Sequence, residues 1–285
     1  MSKQLLFRPA LLFLMLFASS ASLASSHGDE FTYFSANILY CDITAGEERD
    51  SYISRRNDLI ALLSEMKPDV IGIQEASICR IYGHPSTDHT IKEISKGLKE
   101  HSLNYSYYFW ESERIGSLWI EGLAFLWNKD IIQVGKDDIE CRHLDASYLH
   151  KGALIQKSLC RIKVQPKNPP EGSSPVLIYN THFDARNYDI KLRQAEEVSG
   201  FLDKEVLKTN SYALFGGDLN YREFKPLFTD LGIDLLLRDR VDYVFSAKFA
   251  GDDAKAEAIL LYNVEGKPDI SDHNGILTTV RWPAR

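Results

Sequence analysis

The run from Tyr212 to Asn220 (YALFGGDLN) constrains the chain more than any other stretch, because four apolar or aromatic residues lead into two glycines and then into Asp218 and Asn220. Residues i and i+2 of a strand share a side, so Asp218 and Asn220 can face one small volume while Leu219 returns to the core. Gly216 and Gly217 weaken strand propensity but let a ligand or another backbone approach closely. An Asx turn at a strand end would account for the same spacing. The rest of the chain distinguishes a turn from a site.

The same logic recurs. Phe31 to Tyr40 alternates as a core strand with one polar misfit, Asn37. Tyr52 to Met66 has the periodicity of an amphipathic helix, with Ile53, Leu59, Ile60, Leu63 and Met66 on its apolar side and Pro68 as its stop. Asp69 to Gln74 is a short buried strand delivering Glu75, a side chain that is costly to bury unless paired or bound to a cation. Val176 to Thr181 delivers His182, Asp184 and Arg186. Arg240 to Phe245 carries Asp242, and Ser271-Asp272-His273 precedes the apolar run Ile276 to Val280.

Between these lie expected helices over Ile91 to Glu100 and Lys191 to Leu207, and strands over Tyr105 to Trp110, Leu123 to Trp127 and, as one strand or a pair, Lys151 to Val164. Ser77 to Thr90, Glu111 to Ile120 and Pro166 to Pro175 read as loops. Tyr221 to Leu237 reads as helix and loop, Ala247 to Ile259 as loop with a short helix, and Leu260 to Val264 as an edge strand; Asp138 to His150 has no clear pattern. Arg193 and Gln194 are weighed as phosphate-facing groups against ordinary helix solvation. Many short strands with interspersed helices indicate an α/β sandwich and not a helical bundle.

Lys3 and Arg8, the apolar run Ala10 to Ala18 and the small residues Ser22-Leu23-Ala24 have the form of a secretory signal peptide cleaved after Ala24, leaving residues 25–285 as a single domain. Removing those two cations takes the formal charge from -7 to -9, which offers no bulk attraction for nucleic acid. The expected location is secreted or periplasmic. Cys41, Cys79, Cys141 and Cys160 fit no zinc spacing; they are either thiols or two disulfides, with three pairings open.

Asn37, Gln74-Glu75, Asn180-Thr181-His182, Gly217-Asp218-Leu219-Asn220, Asp242-Tyr243 and Ser271-Asp272-His273 occur in the order of the motifs of the endonuclease/exonuclease/phosphatase superfamily, which the chain resembles over nearly all of its length after the leader. The resemblance implies a four-layer α/β sandwich, with two central, mainly antiparallel β-sheets flanked by helices, and Mg2+-assisted phosphoester hydrolysis, with Mn2+ or another divalent cation as alternatives. It implies Glu75 as the principal metal ligand, with Asn37 close by and Asp272 as an additional ligand. Asp218 resembles the carboxylate that positions or deprotonates the attacking water, and Asn220 a phosphate-orienting group. His182 resembles a donor to the phosphate or leaving oxygen, and Asp242 with His273 an orienting acid-histidine pair. Whether Asp218 or His273 takes the proton stays open. Hard Mg2+ prefers oxygen ligands and keeps water, so few protein carboxylates suffice.

The substrate is expected to be a phosphoester. Export, acidity and Lys151-Gly152 resemble the bacterial sphingomyelinase branch, which implies a membrane lipid, and Trp110 and Trp119 are of a type suited to an interface. DNA is the alternative, in a secreted deoxyribonuclease-like enzyme with Arg114, Arg186 and Lys191 as backbone contacts. An inositol-phosphate phosphatase and a catalytically inactive membrane- or host-binding protein are the remaining readings. No obligate protein partner is expected.

Overall fold

Strict alternation along the first strand divides its side chains between two cores: Phe31 and Tyr33 enter one, Phe34, Ala36 and Ile38 the other. The computed structural model describes residues 29–39, 48–79, 89–115, 119–150, 153–169, 171–262 and 269–284. The expected leader, Cys41 and Lys151-Gly152 lie outside them.

In chain order the elements are β1 (Glu30–Asn37), α1 (Glu48–Met66), β2 (Val70–Cys79), α2 (Thr90–Glu100), β3 (Tyr105–Ile115), β4 (Trp119–Asn128), β5 (Ile132–Gln133), β6 (Ile139–His150) and β7 (Ala153–Pro166). There follow β8 (Val176–His182), α3 (Tyr188–Leu202), β9 (Tyr212–Asp218), α4 (Lys225–Thr229), β10 (Asp234–Asp239), β11 (Asp242–Ala247), β12 (Ala254–Ile259) and β13 (Gly275–Arg281). Among the described residues they form a six-stranded sheet ordered β12-β13-β1-β2-β4-β3 and a seven-stranded sheet ordered β10-β11-β9-β8-β7-β5, with β6 paired to β7. Most pairings are antiparallel; β1 with β2 and β8 with β9 are parallel.

Three cores define four layers. Phe31, Val70, Phe125, Ile162, Ile178 and Val244 are buried between the sheets. Leu59, Leu63, Ile94 and Leu98 cover the outer face of the first sheet, and Val198, Leu202 and Phe228 cover that of the second. Each parallel pair encloses a helix, α1 or α3, as a crossover requires. Both pairs therefore send their C-terminal strand ends to one edge of the sandwich.

Several expectations change. Asp138 to His150 is the strand β6, whose mostly uncovered face removes the apolar period from the sequence. Glu111 to Ile120 is no surface loop among its described residues: β3 runs to Ile115 and β4 starts at Trp119, paired across a register shift. The edge strand is β12, earlier than Leu260 to Val264, and α3 starts at Tyr188 with Asn187 as its cap. Tyr221 to Leu237 holds α4 and the start of β10. Cys141 and Cys160, directly opposed on β6 and β7, form a disulfide.

Candidate active site

Five strands deliver the polar residues to the shared edge. Asn37 ends β1, His182 ends β8 and Asp218 ends β9, while Asp242 opens β11 and His273 lies just before β13. The register aligns His182 with Asp218, and Asp218 with Asp242, across neighbouring strands. Inward phase decides their direction. Ile178, Asn180 and His182 share one side of β8, and Leu214, Gly216 and Asp218 one side of β9, both facing the opposite sheet through Ile178 and Leu214.

Glu75 reaches the edge differently. β2 has a bulge between Ile73 and Ala76, and Glu75 sits there at φ +57°. The extra residue turns Ala76 back to the phase of Ile71 and Ile73 and re-aims the glutamate. Gln74, fully buried, points between the sheets and donates to Asn180 Oδ1 at 2.6 Å; Asn180 Nδ2 donates to the Ile73 carbonyl at 3.0 Å. This amide bridge joins the two sheets beneath the site.

Above it the candidate groups converge. Asn37 Nδ2 donates to Glu75 Oε1 at 2.9 Å and to Asp218 Oδ2 at 3.1 Å. His182 Nε2 lies 3.7 Å from Asp218 Oδ2 and 4.0 Å from Glu75 Oε1, and its Nδ1 faces Glu121 Oε1 at 3.5 Å. His273 Nε2 lies 3.7 Å from the same Asp218 oxygen, while its Nδ1 bonds Asp242 Oδ2 at 2.8 Å. One carboxylate oxygen is thus flanked by two imidazoles. Ser271 Oγ donates to the Asn37 carbonyl at 2.8 Å, fastening the His273 loop to β1.

Asn220, at φ +52°, donates through Nδ2 to the Phe183 carbonyl at 3.0 Å, and its own N–H bonds Asp218 Oδ1 at 2.7 Å. The Asx turn is therefore present, and it fixes the Asp218 carboxylate within the site. Asp272 is more than half exposed, with its carboxylate 3.8 Å from His273 Nε2. Gln194 does not face phosphate: its Oε1 accepts from Asp184 N and its Nε2 donates to the Ala146 carbonyl. Among the expected backbone-binding cations, Arg114 is paired with Glu111 at 2.6 Å and Lys191 is buried, donating to the Asn220 carbonyl. Arg186 is exposed.

Electrostatics follow from this crowding. Burial opposes a charge on His273, but its bond to Asp242 and the charges of Asp242, Asp218 and Asp272 raise its pKa to about 9. Burial raises Asp242 to about 7 against the His273 bond. The pair therefore holds its proton tightly, and Asp218 beside the other ring nitrogen favours keeping it on His273. For His182, burial and then Lys157 act downward, while the Glu121 contact and the charges of Asp218 and Glu121 act upward and prevail.

The donor set fits a divalent cation. Glu75 and Asp218 supply hard oxygens, and Asp242 Oδ1 is buried without a hydrogen-bond partner; Asn37 turns its Nδ2 to both Glu75 and Asp218, while its Oδ1 accepts from Leu39 N at 2.9 Å. Asp218, Asp242 and His273 also place one ligand atom each within 4.8 Å of one another, a candidate metal cluster in its own right.

Sequence reasoning missed Glu113, Lys157 and the contact of Glu121 with His182. Lys157 falls inside the alternating stretch Lys151 to Val164, and Glu121 just before the expected strand Leu123 to Trp127. Two-residue alternation would put Lys157 on the side of Leu159, which packs under α3; only the irregular pairing of β6 with β7 turns it between the sheets.

Residues 34–273 match the sequence profile described as the Endonuclease/Exonuclease/phosphatase family. No curated protein matches the chain significantly. Among solved structures, a protein of that family from Bacteroides thetaiotaomicron superposes with TM-score 0.65 at 14% identity, over 89% of this chain and 95% of that one. A mannosyl-6-phosphatase from the same organism gives 0.61 at 14% identity, over 87% and 98%. The human Nocturnin catalytic domain with bound sulfate gives 0.59 at 13% identity, over 88% and 94%. At these identities the likeness is one of fold.

Proposed function

Because the chain belongs to the endonuclease/exonuclease/phosphatase family, we propose that it is an exported, Mg2+-dependent phosphodiesterase that releases a phosphorylated headgroup from a membrane lipid. The observation that carries the hydrolase reading is the placement of His182 and His273 on either side of the buried Asp218 carboxylate, with Asn37 joining that carboxylate to Glu75.

In this reading Glu75 would hold the cation, with Asn37 fixing that carboxylate beside Asp218 and with Asp272 at the rim. Bound there, it would neutralise phosphate charge and stabilise the leaving oxygen. Asp218, fixed by the Asn37 amide and the Asn220 N–H, takes a proton from the attacking water as its oxygen bonds to phosphorus. His273, kept protonated by Asp242, donates to the phosphoryl group. His182 gives a proton to the leaving oxygen as the phosphorus–oxygen bond breaks. Asn220 holds the Asp218 turn and lies beside the phosphate path.

A lipid is favoured over DNA by the apolar rim. Leu149 and Leu154, directly opposed on β6 and β7, are 73% and 50% exposed, and Leu154 lies four residues beyond the Ser158 to His182 pairing, about 13 Å past the site edge. Tyr188 and Leu260, also exposed, follow His182 and β12 at the same edge. No helix among the described residues is long and apolar enough to cross a membrane. A parallel assay of the purified chain with Mg2+ on sphingomyelin vesicles and on double-stranded DNA tests the reading. Lipid cleavage lost in Asp218→Asn supports it, DNA cleavage alone moves the protein to the nuclease alternative, and neither activity redirects the search to inositol phosphates and then to binding without turnover.

A further inference from the structure

Behind His182 lies a buried charge cluster that the proposed reaction does not use. Lys157 Nζ is 2.5 Å from Glu113 Oε1 and 3.3 Å from Glu121 Oε1, and the same Glu121 oxygen faces His182 Nδ1. Lys157, Glu113, Glu121 and His182 are each less than 8% exposed. Isolated ions are costly to bury, and a buried ion pair gives little net stability over apolar residues of similar volume.

The fold takes trouble to assemble it. Glu113 and Glu121 belong to β3 and β4 of one sheet, opposed at a register shift, whereas Lys157 belongs to β7 of the other. On β7, Lys157 is the single residue facing Leu144 to Ala146 of β6, between the His143 to Ser158 and Ser147 to Gln156 pairings. Irregularities in both sheets thus meet at one point, directly beneath an imidazole of the site.

The geometry points to Lys157 and Glu113 as positioning residues: they fix the Glu121 carboxylate, and Glu121 aims the His182 ring so that Nε2 faces Asp218 and Glu75. The catalytic consequence rests on the phosphoester-hydrolase reading, but the aiming of the ring does not. With Lys157 absent, Glu121 loses the cation that holds it, and His182 loses its fixed partner.

The test is the charge-balanced double variant Lys157→Met with Glu113→Gln, which leaves Glu121 opposite His182. Two readouts are taken on the full chain: Mg2+-dependent hydrolysis of bis(p-nitrophenyl) phosphate, and the His182 Nδ1–H resonance of the metal-free protein, assigned by its loss in His182→Gln. The expected result is a folded variant with kcat about 10- to 100-fold lower at little changed KM, and a Nδ1–H resonance that has lost its downfield position and solvent protection. Wild-type kcat with an unchanged resonance overturns the assignment, and so does a fall in kcat with the resonance unchanged. If the wild type itself shows no hydrolysis, the functional reading fails, and the resonance alone still decides whether Lys157 and Glu113 hold the ring.

Discussion

Asn37 and Asp218 stand on opposite sheets and 181 residues apart in the chain, yet the Asn37 amide donates to the Asp218 carboxylate at 3.1 Å. The same amide reaches Glu75 at 2.9 Å, so one side chain sets the distance between the group that would hold a cation and the group that would take a proton.

Asp218→Asn should lower phosphodiester turnover by about 10²- to 10⁴-fold, the usual range for loss of a positioned proton acceptor. The fold should persist, because the substituted amide keeps one oxygen for the Asn220 N–H. Turnover and the thermal midpoint are measured together; wild-type turnover in a folded variant sinks the role given to Asp218.

Metal addition separates the two candidate cation positions. Mg2+ at 100 times its Kd should stabilise the chelator-treated wild type by about 2.7 kcal/mol, read as a rise in melting temperature. Glu75→Gln should abolish the rise and His273→Gln should retain it. The reverse pattern would place the ion on the Asp218, Asp242 and His273 cluster.

The buried lysine predicts a change in the sign of a pH dependence. Burial alone would raise the Glu121 pKa, yet Lys157 and His182 hold it at about 2, so this carboxylate contributes stability above its ordinary 4.5 that is lost as the pH falls toward 2. Glu113, pushed up by burial, contributes with the opposite sign. In Lys157→Met Glu113 loses its cation and Glu121 keeps only His182, both pKa values rise, and stability should fall as the pH rises from about 5 to 7, by up to about 2.7 kcal/mol for each carboxylate that must ionise, about 1.36 kcal/mol per pH unit. Urea unfolding across this range checks it; a wild-type slope in the variant would show that Lys157 does not hold these groups ionised.

Gly217→Ala should be severely destabilising. Gly217 has φ +143°, and an added Cβ would lie 2.0 Å from the Thr181 carbonyl oxygen on the paired strand. Backbone cannot yield as a flexible side chain does, so a loss of more than about 3 kcal/mol is expected from denaturant midpoints. A midpoint near that of the wild type would contradict the close approach of β8 and β9.

Asn37, Glu75, His182, Asp218 and Asp242 were legible because each is a polar residue at or near the end of an otherwise apolar alternating run, and the two-residue period assigns such a residue its side of the sheet. β6 was not, since with most of one face uncovered it carries no apolar period. Gln194 misled for a related reason: helical spacing shows which residues share a face but not that the Asp184 and Ala146 backbones would be waiting there.

The sequence by itself determined the α/β alternation, the apolar strands and the polar groups at their ends, because these follow from local periodicity and turn chemistry. Only the tertiary structure decided that Lys157 would meet Glu113 and Glu121, that Asn37 would tie Glu75 to Asp218, and that Cys141 would pair with Cys160. Those partners lie on different strands, several on different sheets, and their distances are set by register, by the bulge at Glu75 and by the packing of one sheet on the other.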